Sequence, residues 1–412
     1  MVNKAFWKNL GLNREVAALS LARFVDAFSN SILIVILPLY VGALPSGWLD
    51  LPVETLVGIL IFMFGIVSSF SQPFAGKWSD QVRKRKIFIV LGLALLGLST
   101  FLFVTAEQFL HLVIIRAIQG FGFALTIPAT FSLMAAYTRR GNRGGAMGIY
   151  STMRMAGFAV GPLLGGILHV HAGFRTAFYV VGFLSLLGAF IVWRLVEDPE
   201  QVDQSASQAR RLPGFTESLS YEFLILAAST IVMASAISMM VALENQFNQR
   251  LSQTAIGFGL AFSALTFSRG FLQIPLGKAA DIWGRKPLII TGLLLLTPTT
   301  ILLGFVATTG QLIVVRLAQG VAMAGISAPV FALAADKTDS ESAGTQMSII
   351  TMSFGIGIAF GPVLAGIMAG YVSFQSPFIV AGVSCLVMAA LMGKFVQETV
   401  TGDVSDYERN SE

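Results

Sequence analysis

The sequence predicts an all-α membrane protein, with twelve transmembrane helices in two pseudo-symmetric six-helix bundles. Three observations carry this expectation. Of 412 residues, 55% are hydrophobic and 12% charged, about half the charge of an ordinary soluble domain, and mean hydropathy is +0.76. The apolar residues fall in long unbroken runs, near the roughly 20 residues a helix needs to cross hydrocarbon. Landmarks of the first half also return about 200 residues later. Together these features argue against a cytosolic enzyme, a secreted disulfide scaffold or a disordered chain. They argue equally against an outer-membrane barrel, whose strands would alternate rather than run.

The elements follow in order. The first span, 16–43, contains Arg23 and Asp26 and lacks a small-residue cleavage site, so it is expected to stay rather than be removed as a signal peptide. Spans 54–76 and 87–105 flank a basic loop. Spans 109–135 and 145–169 are parted by Arg139, Arg140 and Arg143. Span 174–196 closes the first bundle, residues 1–196. Residues 197–221 hold EDPEQVDQSASQARRLPG and read as a solvated cytoplasmic linker. The second bundle, 222–397, repeats the plan with 222–247, 254–277, 287–307, 311–335, 343–370 and 376–397. Residues 398–412 form a polar cytoplasmic tail.

Charge fixes the expected orientation. Of the 27 Lys and Arg, 20 lie on the side of the termini and the even-numbered loops, two (Arg175 and Arg250) lie on the other, and five are within spans. The positive-inside rule puts both termini in the cytoplasm of a multi-pass inner-membrane protein. All five Trp fall at or beyond span ends, as interfacial anchors do. The net charge of +5 therefore follows topology and does not point to nucleic acid. With one cysteine, Cys385, no internal disulfide can form. His169 and His171 at a span end do not make a metal site. No Walker loop is present. No enzyme, cofactor or metal is expected.

The repeat is dense. Gly76-x-x-x-Asp80 returns as Gly277-x-x-x-Asp281, Arg116-x-x-Gln119-Gly120 as Arg316-x-x-Gln319-Gly320, and Gly161-Pro162 as Gly361-Pro362. Six spans per half keep both halves in one orientation. Parallel halves of this kind are a transporter plan, with substrate bound near the midplane.

On these motifs the chain resembles the major facilitator superfamily over essentially its whole length. Gly76 to Lys86, with Asp80, Lys84 and Arg85, is similar to that family's cytoplasmic loop signature, and Gly277, Asp281, Gly284, Arg285 and Lys286 form its second copy. Arg83 stands in the first copy where a second glycine is usual. The run Arg116 to Ala124 resembles the family's fourth-helix motif. The run Gly157, Gly161, Pro162, Gly165 and Gly166 looks like the fifth-helix motif of the drug/proton antiporter branch. The resemblance implies that the loop motifs hold one conformation, and that the glycine face packs against the eighth helix and keeps protons from leaking.

Charges within the spans are the candidate site. A charge in hydrocarbon costs at least about 2.5–3.5 kcal/mol and calls for a partner. Arg116 is expected to pair with a carboxylate, and Asp26, near mid-depth, is the candidate. Asp26 could instead merely neutralise Arg23, three residues earlier. A buried carboxyl whose cation can withdraw is suited to take a proton on one side and release it on the other. Asp26 and Arg116 are therefore the expected proton-coupling pair. Asn30, Arg154, Glu244 and Met240 are expected to bind substrate, with a solvated helix end as the alternative for Glu244. Gly157, Gly161 and Gly165 recur every four residues as a packing groove. The expected function is proton-coupled export of amphipathic small molecules by a monomer among membrane lipids. A carrier of a lipid, organic anion or imported nutrient is the alternative, and a non-transporting receptor a third.

Overall fold

The computed structural model describes residues 13–44, 50–82, 84–138, 143–198, 220–337 and 343–399. Among them every regular element is helical. The first half comprises α1 (Arg14–Ala43), α2 (Val53–Val82), α3 (Arg85–Leu102) and α4 (Phe109–Tyr137), then the stretch Arg143–Leu195. That stretch is two helices, α5 and α6, because Gly173 (φ 74°, ψ 179°) breaks it. Its hydrophobic part, Gly145–Leu195, has 51 residues. At 1.5 Å per residue it would extend roughly 77 Å, more than twice a hydrocarbon core. Among the described residues, eleven long apolar stretches therefore yield twelve spans.

The second half begins with α7a (Tyr221–Ser238) and a tight 3₁₀ segment, Met239–Leu243, followed by α7b (Glu244–Arg250). Then come α8 (Ala255–Trp283), α9 (Arg285–Leu303), α10 (Thr309–Asp336), α11 (Ala343–Tyr371) and α12 (Ser376–Phe395). Asn13 caps α1 by accepting from the Val16 amide at 2.7 Å, and Ser220 caps α7a through the Phe223 amide at 3.2 Å. Such caps satisfy amides that have no partner inside the helix.

Packing divides the chain into two compact units. Unit 1 is 1–211 with 241–263, and unit 2 is 212–240 with 264–412. The core of unit 1 is two apolar clusters. One holds Leu19, Leu93, Leu125, Leu133 and Val192, and the other Ile36, Leu60, Phe103, Leu112 and Phe178. On α1 the first cluster stops at Ala22 and the second starts at Ile32. The residues left between them on α1, α3, α4 and α6 include Arg23, Asp26, Thr100, Arg116, Gln119 and Ser185. They form a polar layer in the middle of an apolar bundle.

The glycine groove of α5 receives α1. A Cβ on Gly157 would lie 2.6 Å from the Phe24 carbonyl, and one on Gly161 2.8 Å from the Phe28 carbonyl. A Cβ on Gly165 would be 3.1 Å from that of Ile32. Ser31 seals the seam by donating to the Phe28 and Gly157 carbonyls, at 2.9 and 3.2 Å. The partner of the three-glycine face is thus α1, not α8 as the resemblance implies. The first residues of α8 meet the adjoining face instead, where Gly166 abuts Ala255 and Gly259 abuts Pro162. Glycines four apart make one stripe, and Pro162 and Gly166 lie one position beyond it.

Candidate functional site

Asp26 is 5% exposed and lies in the polar layer of unit 1. Its partner is Arg23, whose Nη1 donates to Asp26 Oδ2 at 2.5 Å. The pair spans one helical turn, so both groups leave the same face of α1. The Arg23 guanidinium lies 5.4 Å from the Phe123 ring centre and 5.8 Å from that of Tyr150. Rings at this range hold a cation by its attraction to their π faces. Arg154 is near enough to act electrostatically on Asp26, Arg23 and Tyr150, and its own guanidinium lies 5.9 Å from the Phe158 ring. Asn30 and Asp26 line one small cavity.

The expected pairing of Asp26 with Arg116 is not what the structure brings together. Arg116 donates from Nη1 to Gln119 Oε1 at 3.1 Å and stacks 4.4 Å from the Phe64 ring. Gln119 in turn donates to Thr100 Oγ1 at 2.9 Å. The second half repeats this arrangement. Arg316 donates to Gln319 at 2.9 Å and Gln319 to Thr300 at 3.1 Å. The Arg-x-x-Gln motif is therefore a scaffold that ties the fourth helix of each half to the third. A nearer cation on its own helix had already satisfied Asp26.

The repeat separates scaffold from site. At the matching offset of 200, Arg23, Asp26, Tyr150 and Arg154 become Phe223, Leu226, Ile350 and Phe354. Phe223, Leu226 and Ile350 are buried core residues in unit 2. Tyr150 was missed in the sequence, although its replacement by Ile350 at the repeat position was the available signal.

The expected substrate residues take different places. Arg154 belongs to the Asp26 cluster. Met240 is fully buried in the 3₁₀ segment, and Glu244 is fully buried at the start of α7b with Asn248 as its polar neighbour. The solvated-end reading of Glu244 does not hold, because its neighbours fasten α7b down. Asn245 donates to the Pro38 carbonyl at 2.8 Å and Gln246 to Glu54 at 2.7 Å.

The second loop motif is a network. Arg285 pairs with Asp336, donates to the Ala332 carbonyl at 2.7 Å, and reaches Asp281 at 3.4 Å. Gly284 has φ 101°, a conformation that favours glycine. The first copy has five residue steps from Asp80 to Arg85, against four from Asp281 to Arg285. With one more residue to turn in, Lys84 keeps φ −116° and needs no glycine. The Asp80 side chain and Arg83 lie outside the described residues. Gly76 and Gly277 sit beside Pro128 and Ala328, and Gly120 lies against the backbone of α2.

An unexpected cap closes each half. The Lys86 amide donates to Asp198 at 2.9 Å, and the Lys286 amide to Glu398 at 2.7 Å. Both acids fall at the positive N-terminal end of a helix, α3 or α9. Both contacts span 112 residues and are offset by 200, so the first residues of the expected linker and tail are docked.

The family model described as Major Facilitator Superfamily matches residues 19–256 and 223–410. Multidrug resistance protein 1 of Bacillus subtilis is 28% identical over 346 residues, covering 82% of this chain and 86% of the relative. The multi-drug resistance efflux pump PmrA homolog of Lactococcus lactis is 23% identical, covering 94% and 96%. A bacterial homolog of the human lysosomal transporter Spinster, solved in an inward-facing and occupied conformation, superimposes with TM-score 0.76 at 16% identity. It covers 92% of this chain and 95% of that one.

Proposed function

The chain belongs to the Major Facilitator Superfamily, and on that premise we propose that it is a proton-coupled antiporter exporting amphipathic small molecules by alternating access. It is a multi-pass membrane transporter; the coupling, direction and substrate class are the proposal. One observation carries it. Asp26 is a buried carboxyl paired with Arg23, at positions where the otherwise matching second half has the buried Leu226 and Phe223. A scaffold built twice does not need that group, so its insertion-energy cost is met by function. Protonating Asp26 breaks the pair and frees Arg23, which changes the charge that the two conformations must bury. The relatives named for multidrug resistance support the substrate class.

The test is accumulation in proteoliposomes under an imposed pH difference, with ethidium, radiolabelled chloramphenicol and fluorescein as cationic, neutral and anionic probes. Concentration of at least one probe against its gradient, collapsing with a protonophore, is expected. Probe movement that ignores the pH difference would remove proton coupling.

The proposal includes cytoplasmic termini in an inner membrane and a monomeric working unit. A chain with Cys385→Ser and one new cysteine, Ser46→Cys or Ser205→Cys, is expected to react with an impermeant thiol reagent in intact cells only at position 46. Labelling at 205 alone would invert the orientation.

A further inference from the structure

Asp26 forms part of the wall of two small cavities rather than one. The first also has Asn30, Thr100, Gln119 and Ser185. The second has Arg23, Thr126, Thr130 and Tyr150. Both lie among the helices of unit 1. The Tyr150 hydroxyl is set against Thr130, whose Oγ1 donates to the Thr126 carbonyl at 2.7 Å. On the other side, Gln119 donates to Thr100 at 2.9 Å, and Ser185 donates to the Val181 carbonyl at 3.0 Å. Polar side chains thus flank Asp26 on both sides: Thr126, Thr130 and Tyr150 among the residues of the first apolar cluster, and Thr100, Gln119 and Ser185 in the layer between the clusters.

This line is a property of one half. Thr126, Thr130, Tyr150 and Ser185 correspond to Ile326, Val330, Ile350 and Cys385 at the offset of 200. Thr100 and Gln119 recur as Thr300 and Gln319 because they belong to the scaffold triad. At Thr126, Thr130 and Tyr150 the substitutions that distinguish unit 1 are those a proton relay requires, since hydroxyls both donate and accept and aliphatic groups do neither, while the Cys385 thiol opposite Ser185 does both only weakly.

We propose that the interior of unit 1 is the proton route, with Asp26 as its relay station and the Tyr150–Thr130 hydroxyl pair as the positioning step between Asp26 and the end of the bundle nearer Val16. This rests on Asp26 being the proton site. The relay moves a proton along hydroxyls and the carboxyl, each oxygen giving up one proton as it receives another, so no bond other than O–H is made or broken. Facing Asp26 are Arg23 on its own helix and Tyr150 and Arg154 on α5. Arg23 donates to the acid. The hydroxyl of Tyr150 sits beside that pair and supplies or accepts the proton when the pair opens.

The experiment needs no substrate, only protons. Purified protein in lipid is taken through a stopped-flow pH jump while the infrared C=O stretch of buried carboxylic acid is followed. The component lost in Asp26→Asn is the Asp26 signal; if no component is lost, the proton-site reading itself fails. In Tyr150→Phe that component should still titrate to the same final amplitude, but about tenfold or more slowly. Thr130→Val should slow it in the same sense. Parental speed in both variants overturns the route while leaving Asp26 as the proton site. A changed final amplitude at parental speed overturns it as well, since it assigns Tyr150 to the stability of the pair rather than to transfer.

Discussion

Asp26→Asn is expected to abolish uphill transport altogether. The asparagine keeps the shape of the protonated acid but cannot give a proton back, so the cycle loses its driving step. Membrane potential contributes about 2.3 kcal/mol per charge per 100 mV, and none of it reaches the substrate once the proton is gone. Probe binding should persist, because a permanently neutral side chain imitates one state of the cycle. The substitution also leaves Arg23 buried without its carboxylate, and breaking a buried pair from one side costs about 3–5 kcal/mol. Arg23→Gln with Asp26→Asn removes both charges and should regain thermal stability without regaining accumulation. That contrast separates coupling from folding. If Asp26→Asn concentrates probe as the parent does, Asp26 is not the coupling site and Glu244, also fully buried, becomes the carboxyl to test. Arg116→Ala should behave differently. It disrupts a scaffold triad that unit 2 also possesses, so its main effect should be on stability, matched by Arg316→Ala.

The second large effect is Gly161→Leu. A Cβ at Gly161 would run into the Ser31 hydroxyl and stand 2.8 Å from the Phe28 carbonyl. Backbone cannot turn aside as a side chain does, so α1 must lift away from α5. Overpacking in a core costs about 1–3 kcal/mol where side chains can yield, and more where they cannot. The lift would also pull Ser31 off the Gly157 carbonyl and shift Arg23 and Asp26, which ride on the same helix. The expected result is loss of a monodisperse folded species in fluorescence-detected size-exclusion chromatography. Gly148→Leu is the control on the same helix, since nothing lies within 4 Å of a Cβ there. It should elute as the parent does. A Gly161→Leu protein that folds and couples normally would mean that α1 does not sit in this groove.

The repeat and the span lengths made the fold legible, because hydrophobic run length and periodicity are local properties. The break at Gly173 was placed correctly between two spans for the same reason, although α5 and α6 join with no polar loop. The site was legible only in part. Asp26 announced itself by its cost in hydrocarbon, but its partner did not. Arg23 and Arg116 were both plausible by type, and only three-dimensional distance distinguishes a cation one turn away from one on another helix. Arg116 was misassigned because its neutral partner, Gln119, is an uncharged residue within its own motif. Glu244 sat among Asn and Gln, which read as solvated, yet those amides are the groups that fasten the segment down. The acid caps were written in the sequence as Asp198 and Glu398 at matching offset, but low hydrophobicity made both stretches look like plain connectors.

The two caps also bear on where the chain can be cut. Each acid closes its own half by returning to its own third helix, so the repeating unit of 200 residues includes its own terminus. A cut placed after Asp198 and before α7a leaves both modules with their closing contacts. The first piece would still need residues 241–263 from the second to complete its compact unit, so the two pieces, made from separate genes, should be found together rather than apart.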